Sequence, residues 1–211
     1  RRLGPDAYIG NAIELEPMGR VESSRRTAGK GKSSAPPLHM VSAFAAGMGL
    51  VLGQTATAEK SNEITAIPEL LAKLALEGCI VTIDAMGTQT KIARTIRERG
   101  ADYVLSVKDN HPKLLDSIIL SGLGTKETLQ SSSIHEMESA AHGRTEIRRC
   151  HAFGATNQLY KSEDWKDLAS FAVVERVRTI GNHTSTERAY YISSLPADAE
   201  RIAHAVRSHW E

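Results

Sequence analysis

Cysteine is scarce in this 211-residue sequence: Cys79 and Cys150 are the two present, and no Cys-x-x-Cys pair occurs. That argues against a structural zinc site and suits a reducing compartment. Cys79 lies in an apolar run and reads as a core residue. No apolar run approaches ~18 residues, so no transmembrane helix is expected. The N-terminus lacks both an initiator Met and the apolar stretch of a signal peptide. A cytoplasmic location is expected, for a fragment or a chain trimmed at both ends. Charge of one sign is lacking too. The 26 Lys and Arg against 25 Asp and Glu leave +1, so composition alone announces no nucleic-acid partner. A phosphate loop is also missing. Gly31-Lys32-Ser33 imitates one, but Arg26 stands where its first glycine belongs, and Pro36-Pro37 blocks the helix that should follow. No internal repeat is visible.

What is present supports a real core. Hydrophobic residues make up 41% of the chain, enough for one large domain or one domain with an insertion. Residues 1–37 carry weak periodicity and clusters of Gly, Ser, Pro and Lys, so they read as poorly ordered or degenerate. The cations of this stretch, among them Arg1, Arg2, Arg20, Arg25, Arg26, Lys30 and Lys32, form either a solvated terminus or a phosphate-contacting arm.

Order is expected from His39. Residues 38–46 and 49–58 read as an antiparallel hairpin turned by Gly47-Met48-Gly49. Ser61-Asn62-Glu63 caps a helix over 64–77, whose Ile64, Ile67, Leu70, Leu71 and Leu74 recur at helical spacing. A buried strand over 79–83, a helix over 89–99, a strand over 101–108 and a short helix over 112–120 follow. This β-β-α-β-α-β-α order predicts an α/β fold: a mixed sheet flanked by helices. Residues 38–120 are its expected core, 121–186 a β-rich insertion or antiparallel extension, and 187–211 a final strand and helix.

The run Ile80-Val81-Thr82-Ile83-Asp84-Ala85-Met86-Gly87 carries a single carboxylate to the point where a buried strand ends. Asp84 there is either a metal ligand or a cap for the next turn. A two-metal phosphoryl-transfer site holds its ions ~4 Å apart on several carboxylates, so one Asp does not suffice. Lys108, Asn110 and His111 follow a strand expected to be parallel to that of Asp84; they read as phosphate contacts or as a polar loop. His142, Arg144 and Arg148 alternate as one face of a strand does. They form a phosphate-binding ribbon or a solvated face. Arg207 and His209 near a helix end either contact DNA or complement the helix dipole. Trp210 reads as a core residue in preference to a base-stacking one, and His39 as structural.

The block Lys60–Leu71, the Asp84-Ala85-Met86-Gly87 turn, His39-Met40-Val41-Ser42-Ala43-Phe44 and Asp102-Tyr103-Val104-Leu105-Ser106-Val107-Lys108 together resemble DDE transposases of the insertion-sequence class. His142-Gly143-Arg144-Thr145-Glu146-Ile147-Arg148 and Tyr190-Tyr191-Ile192-Ser193-Ser194 extend the match over 38–211, within the group of H-repeat-associated proteins. The resemblance implies an RNase H-like fold with an insertion before its last helix. It implies Mg²⁺ or Mn²⁺ as cofactor, with Asp84 as catalytic metal ligand. It also implies transposon-end and target DNA as partners, a homo-oligomer, no membrane, and association with the nucleoid when on DNA. The family's first acid, in Asp-Gly-Lys-x-x-Arg, falls on Val21 in this register, with Arg26 matching the Arg and Glu22 one residue off. Its last acid, in His-Trp-x-(Ile/Val)-Glu, would fall two residues beyond His209-Trp210-Glu211. The expectation is the catalytic-core region of a DDE transposase, truncated or degenerate and inactive as this chain. The alternative is a catalytically dead RNase H-like module for DNA binding or protein interaction. A stand-alone nuclease would need a full carboxylate cluster within these residues.

Overall fold

The structure is a computed structural model that describes residues 12–18, 39–45, 50–57, 63–122, 132–141, 143–155 and 159–210. The described residues form β1 (Ala12–Met18), β2 (His39–Ala45), β3 (Leu50–Thr57), α1 (Glu63–Ala72), β4 (Ile80–Ile83), α2 (Thr90–Glu98), β5 (Asp102–Val107) and α3 (Pro112–Gly122). Then come β6 (Ser132–Ala141), β7 (Arg144–Gly154), β8 (Ser170–Ile180), β9 (His183–Ser193) and the last helix, α4 (Ala199–Trp210). All nine of these strands lie in one sheet, in the order β3-β2-β1-β4-β5-β9-β8-β7-β6.

The first five strands give the RNase H-like order. β2 runs antiparallel to both β1 and β3, and β1, β4 and β5 run parallel. The expected hairpin strands, parallel pair and helices all occur, and all but α1 keep nearly the expected bounds. The Gly47-Met48-Gly49 turn and the Ser61-Asn62 cap lie outside the described residues, as does His142. α1 stops at Ala72, short of the expected Glu77. Its last turn tightens through Lys73 N–H to Leu70 O and Leu74 N–H to Leu71 O, which ends a helix early.

One expectation needs correction. Residues 12–18 are not an unstructured part of the N-terminal segment: they form β1, inside the sheet between β2 and β4. Ala12-Ile13-Glu14-Leu15-Glu16 does alternate with period two, but the run is short and ends at Pro17. Pairing with β4 stops at Leu15, so the proline falls where the strand has one neighbour left to satisfy. Strand partners supplied from far along the chain stabilise what a short local pattern does not announce. Residues 121–186 are β-rich, as expected. These residues supply β6–β8 and the start of an eleven-residue β9, whose end pairs directly with β5. They continue the one sheet as an antiparallel extension. The final strand expected within 187–211 is the buried end of β9; its first half, His183–Arg188, is exposed and polar, which hides a strand from hydrophobic patterning.

Packing divides between the two faces. Leu70 and Leu71 of α1, Ile92 and Ile96 of α2, and Leu114 and Ile118 of α3 cover one face, over Val81, Ile83, Tyr103 and Leu105. Phe153 and Phe171 stack there with centroids 5.0 Å apart. α4 covers the other face, with Ile202, Ala203 and Val206 packed on Val104, Cys150, Ala172 and Tyr191. Alternation along each strand thus sends even residues of β4 and β5 toward α4 and odd ones toward α1–α3. Across the exposed part of the extension, Glu136, Arg149, Glu175 and Arg188 occupy successive register positions on four strands. Their charges alternate, and Arg149 pairs with both Glu136 and Glu175 while Arg188 pairs with Glu175 at 2.8 Å. Opposite charges facing each other across strands favour this register over a slipped one.

Candidate active site

Asp84 follows β4 directly, at the carboxyl edge of the sheet, with its side chain 41% exposed. It caps the one-turn 3₁₀ helix Ala85–Gly87 through Oδ1, which accepts from Ala85 N–H at 2.7 Å. The same Oδ1 accepts from Lys108 Nζ at 3.0 Å. Among the described residues Oδ2 takes part in neither bond. Capping and ligation are therefore compatible uses of this side chain. Partial burial pushes the Asp84 carboxyl up, but the Ala85 N–H, the Lys108 ammonium and the charge of His209 outweigh it and hold the group below its ordinary range.

The turn that carries Asp84 is clamped. Thr88, fully buried, donates from Oγ1 to Ser106 O at 2.6 Å. Asn110 Nδ2 donates to Ala85 O at 2.6 Å, and the His111 ring Nε2 bonds Thr88 O at 2.7 Å. His111 also stands edge-on to Trp165, at 5.6 Å between centroids. Gly87 leaves no room for a side chain: a Cβ there would press on Ile83 and lie 2.9 Å from Ile67 Cδ1. Asn110 and His111, expected as phosphate contacts or loop residues, are thus brought to Asp84 as the groups that hold its backbone.

The face under α4 supplies the rest. Thr82 Oγ1 and His209 Nδ1 are 3.0 Å apart, and both residues are buried. Burial corrects the reading of His209 as a DNA contact: its ring is spent joining α4 to β4, two residues before Asp84. Arg207, one turn from Ala203, faces Met137 and lines a cavity of ≈ 290 Å³ between α4 and β5–β9. Lys108, Arg148, Arg176 and Arg188 line the same cavity, with Glu187 the acid among its lining residues. Arg148 and Arg176 are register partners and would repel. Glu146, at 2.6 Å from Arg148 Nη2, and Glu187, paired with Arg176, offset that repulsion. Arg144 lies on the same face of β7, exposed, at the far end from the cavity.

Sequence reasoning missed Thr82, Thr88, Arg176 and the strand β1 that pairs with β4. Glu14 is the register partner of Thr82, and Leu15 of Ile83, where the pairing of β1 with β4 ends. The signal was present in the alternation of 12–16, on the same parity as Thr82 and Asp84. Val21, on which the family's first acid falls, lies outside the described residues; the strand beside β4 is β1. Among the described residues no group of three or more His, Cys, Asp or Glu stands close enough to hold a metal ion. Asp84 by itself has the hard carboxylate oxygen that a divalent cation takes, and fits as one ligand.

Comparison with known proteins extends the match further toward the N-terminus than the motifs do. The chain is 40% identical over 185 residues to "Putative transposase YncI" of Escherichia coli O157:H7, covering 86% of this chain and 47% of that protein. It is 38% identical over 182 residues to "H repeat-associated putative transposase YhhI" of Escherichia coli K12, covering 82% and 47%. The chain thus spans about half the length of these relatives. A piggyBac transposase synaptic complex with hairpin DNA is similar over 94% of this chain and 37% of that one, at 11% identity and a TM-score of 0.43, too weak a likeness to argue from. The family described as "Transposase DDE domain" matches residues 12–211, and the chain belongs to it.

Proposed function

We propose that this chain is the catalytic-core region of a DDE transposase, acting on DNA ends with Asp84 as a ligand of Mg²⁺ or Mn²⁺. The observation that carries the reading is Asp84 itself: half-exposed, at the carboxyl edge of a parallel pair of strands, with Oδ2 outside its hydrogen bonds. β1 supports the reading as the strand beside β4, with Glu14 the register partner of Thr82. α4 supports it as well. The family motif sets its last Glu four residues after the His matched by His209, one helical turn further along, and His209 is already joined to Thr82. A divalent ion held there would stabilise charge on the attacking and leaving oxygens of a phosphoryl transfer. Asn110, His111 and Thr88 keep the Asp84 turn in place, while Lys108, Arg148, Arg176 and Arg207 offer cations along the approach to it. DNA phosphates are the partner such a rim suits.

The second reading, an inert module that binds DNA, draws support from one observation: Lys108 already neutralises Asp84. Plasmid nicking and strand joining by the full-length protein in Mn²⁺ separate the two. Cleavage lost in Asp84→Asn is the expected result. DNA binding that persists with no cleavage by the unaltered protein would favour the inert module.

A further inference from the structure

We propose that Lys108 is an exchangeable counter-ion that couples metal binding to phosphate binding, an inference that rests on the reading of Asp84 as a metal ligand. Its ammonium sits 3.0 Å from Asp84 Oδ1, where it offsets the carboxylate charge. A divalent cation arriving at the same carboxylate would face that ammonium at close range, and like charges so near exclude each other. One of the two must leave.

The structure makes Lys108 the one that moves. Its backbone is fixed: His111 N–H donates to Lys108 O at 2.9 Å, and Asn110 and His111 tie the same loop to Ala85 O and Thr88 O. Its side chain is loosely held, 60% exposed on a flexible four-carbon stem, and ion pairs so exposed are weak. Beyond Asp84, Lys108 already lines the cavity that Arg148, Arg176 and Arg207 share. Released from Asp84, the ammonium therefore stays at the cationic rim and gains a free charge for a phosphate oxygen. Metal binding pays for breaking the ion pair once, and DNA then meets a lysine with no carboxylate to leave. The linkage is reciprocal: metal strengthens DNA binding by the factor by which DNA strengthens metal binding.

The test uses the full-length protein in four forms: unaltered, Lys108→Met, Lys108→Arg and Asp84→Asn. Mn²⁺ affinity is measured by calorimetry without DNA, and affinity for a duplex fragment by fluorescence anisotropy with and without Ca²⁺. Lys108→Met should bind Mn²⁺ more tightly than the unaltered protein, because no competing charge remains. Ca²⁺ should raise the DNA affinity of the unaltered protein roughly fivefold or more, and that gain should vanish in Lys108→Met and return in part in Lys108→Arg. Mn²⁺ affinity unchanged in Lys108→Met, or a Ca²⁺ gain that survives it, would overturn the counter-ion role while leaving Asp84 as a ligand. Mn²⁺ binding indifferent to Asp84→Asn would overturn the metal-ligand reading itself, and this inference with it.

Discussion

Replacing Gly87 with Ala should destabilise the protein and disturb Asp84 without touching any polar group. The added methyl has no space. It would press on Ile83, the residue before Asp84, and stand 2.9 Å from Ile67 Cδ1 on α1. Both isoleucines are buried, at 3% and 6% exposure, so neither can turn outward. Overpacking of this kind costs ~1–3 kcal/mol. For a chain of this size each kcal/mol lowers Tm by ~2–4 °C, so the expected fall spans ~2–12 °C, read by circular dichroism or calorimetry. Ile67→Val removes the Cδ1 atom that is in the way and costs ~0.5–1.5 kcal/mol by itself. In the double variant the two costs should sum to less than their separate values, because the valine opens room for the methyl. Mn²⁺ affinity should fall in Gly87→Ala and recover in part in the double variant. A Tm for Gly87→Ala equal to that of the unaltered protein, or strictly additive costs in the double variant, would refute the close approach of Gly87 to these side chains.

Other outcomes follow from the same contacts. Thr82→Val should cost ~1–3 kcal/mol in urea unfolding, since it takes away a buried partner of the His209 ring, and Thr82→Ser should restore most of it. Asp84 has its folded pKa below the ordinary value, so its contribution to stability is present above that value and lost as pH falls through the folded one. Asp84→Asn should therefore be less stable than the unaltered protein at neutral pH and indistinguishable from it in strong acid; a gap that widens in acid would contradict the sign. Burial pushes the Cys150 thiol up to about 12, so it should resist alkylation at ~pH 8 until the protein unfolds. Replacing Arg148 and Arg176 with Ala should weaken DNA binding alike for all sequences and flatten its salt dependence between ~50 and ~200 mM; binding that is insensitive to salt would exclude a phosphate track there.

How much of this was legible in the sequence depended on how local each determinant is. The strands β4 and β5 and the helices α1–α4 declare themselves because burial on one or both faces writes a clear pattern over each segment: Ile92, Ala93 and Ile96 on α2, or Tyr103 to Val107 on β5. Asp84 was legible for the same reason, as the first charge after a buried run. β1 was not, because its place in the sheet comes from β2 and β4, far along the chain. β9 was half legible: Tyr190 to Ser193 are apolar enough to show, whereas the polar half relies on cross-strand charge with β8, as between Arg188 and Glu175.

The site itself divides along the same line. Its carboxylate is set by one short segment, but the groups that position it are brought from elsewhere. Thr82 and His209 are 127 residues apart in sequence, and Asn110 lies 25 residues from Ala85, whose carbonyl it holds. Read locally, Asn110, His111 and His209 are polar residues near an element's end, and phosphate contact is a reasonable assignment for each. Three-dimensional closure changes what they do. Once β4 and β5 lie side by side, the loop after one necessarily meets the turn after the other, and donors there find backbone carbonyls before they find solvent. Once α4 crosses the sheet, the buried ring of His209 needs a partner and Thr82 supplies it. Lys108 differs from its neighbours in that its partner is a charge on an exposed side chain, so it is held by the weakest of these contacts and is the group in the loop able to exchange it for another.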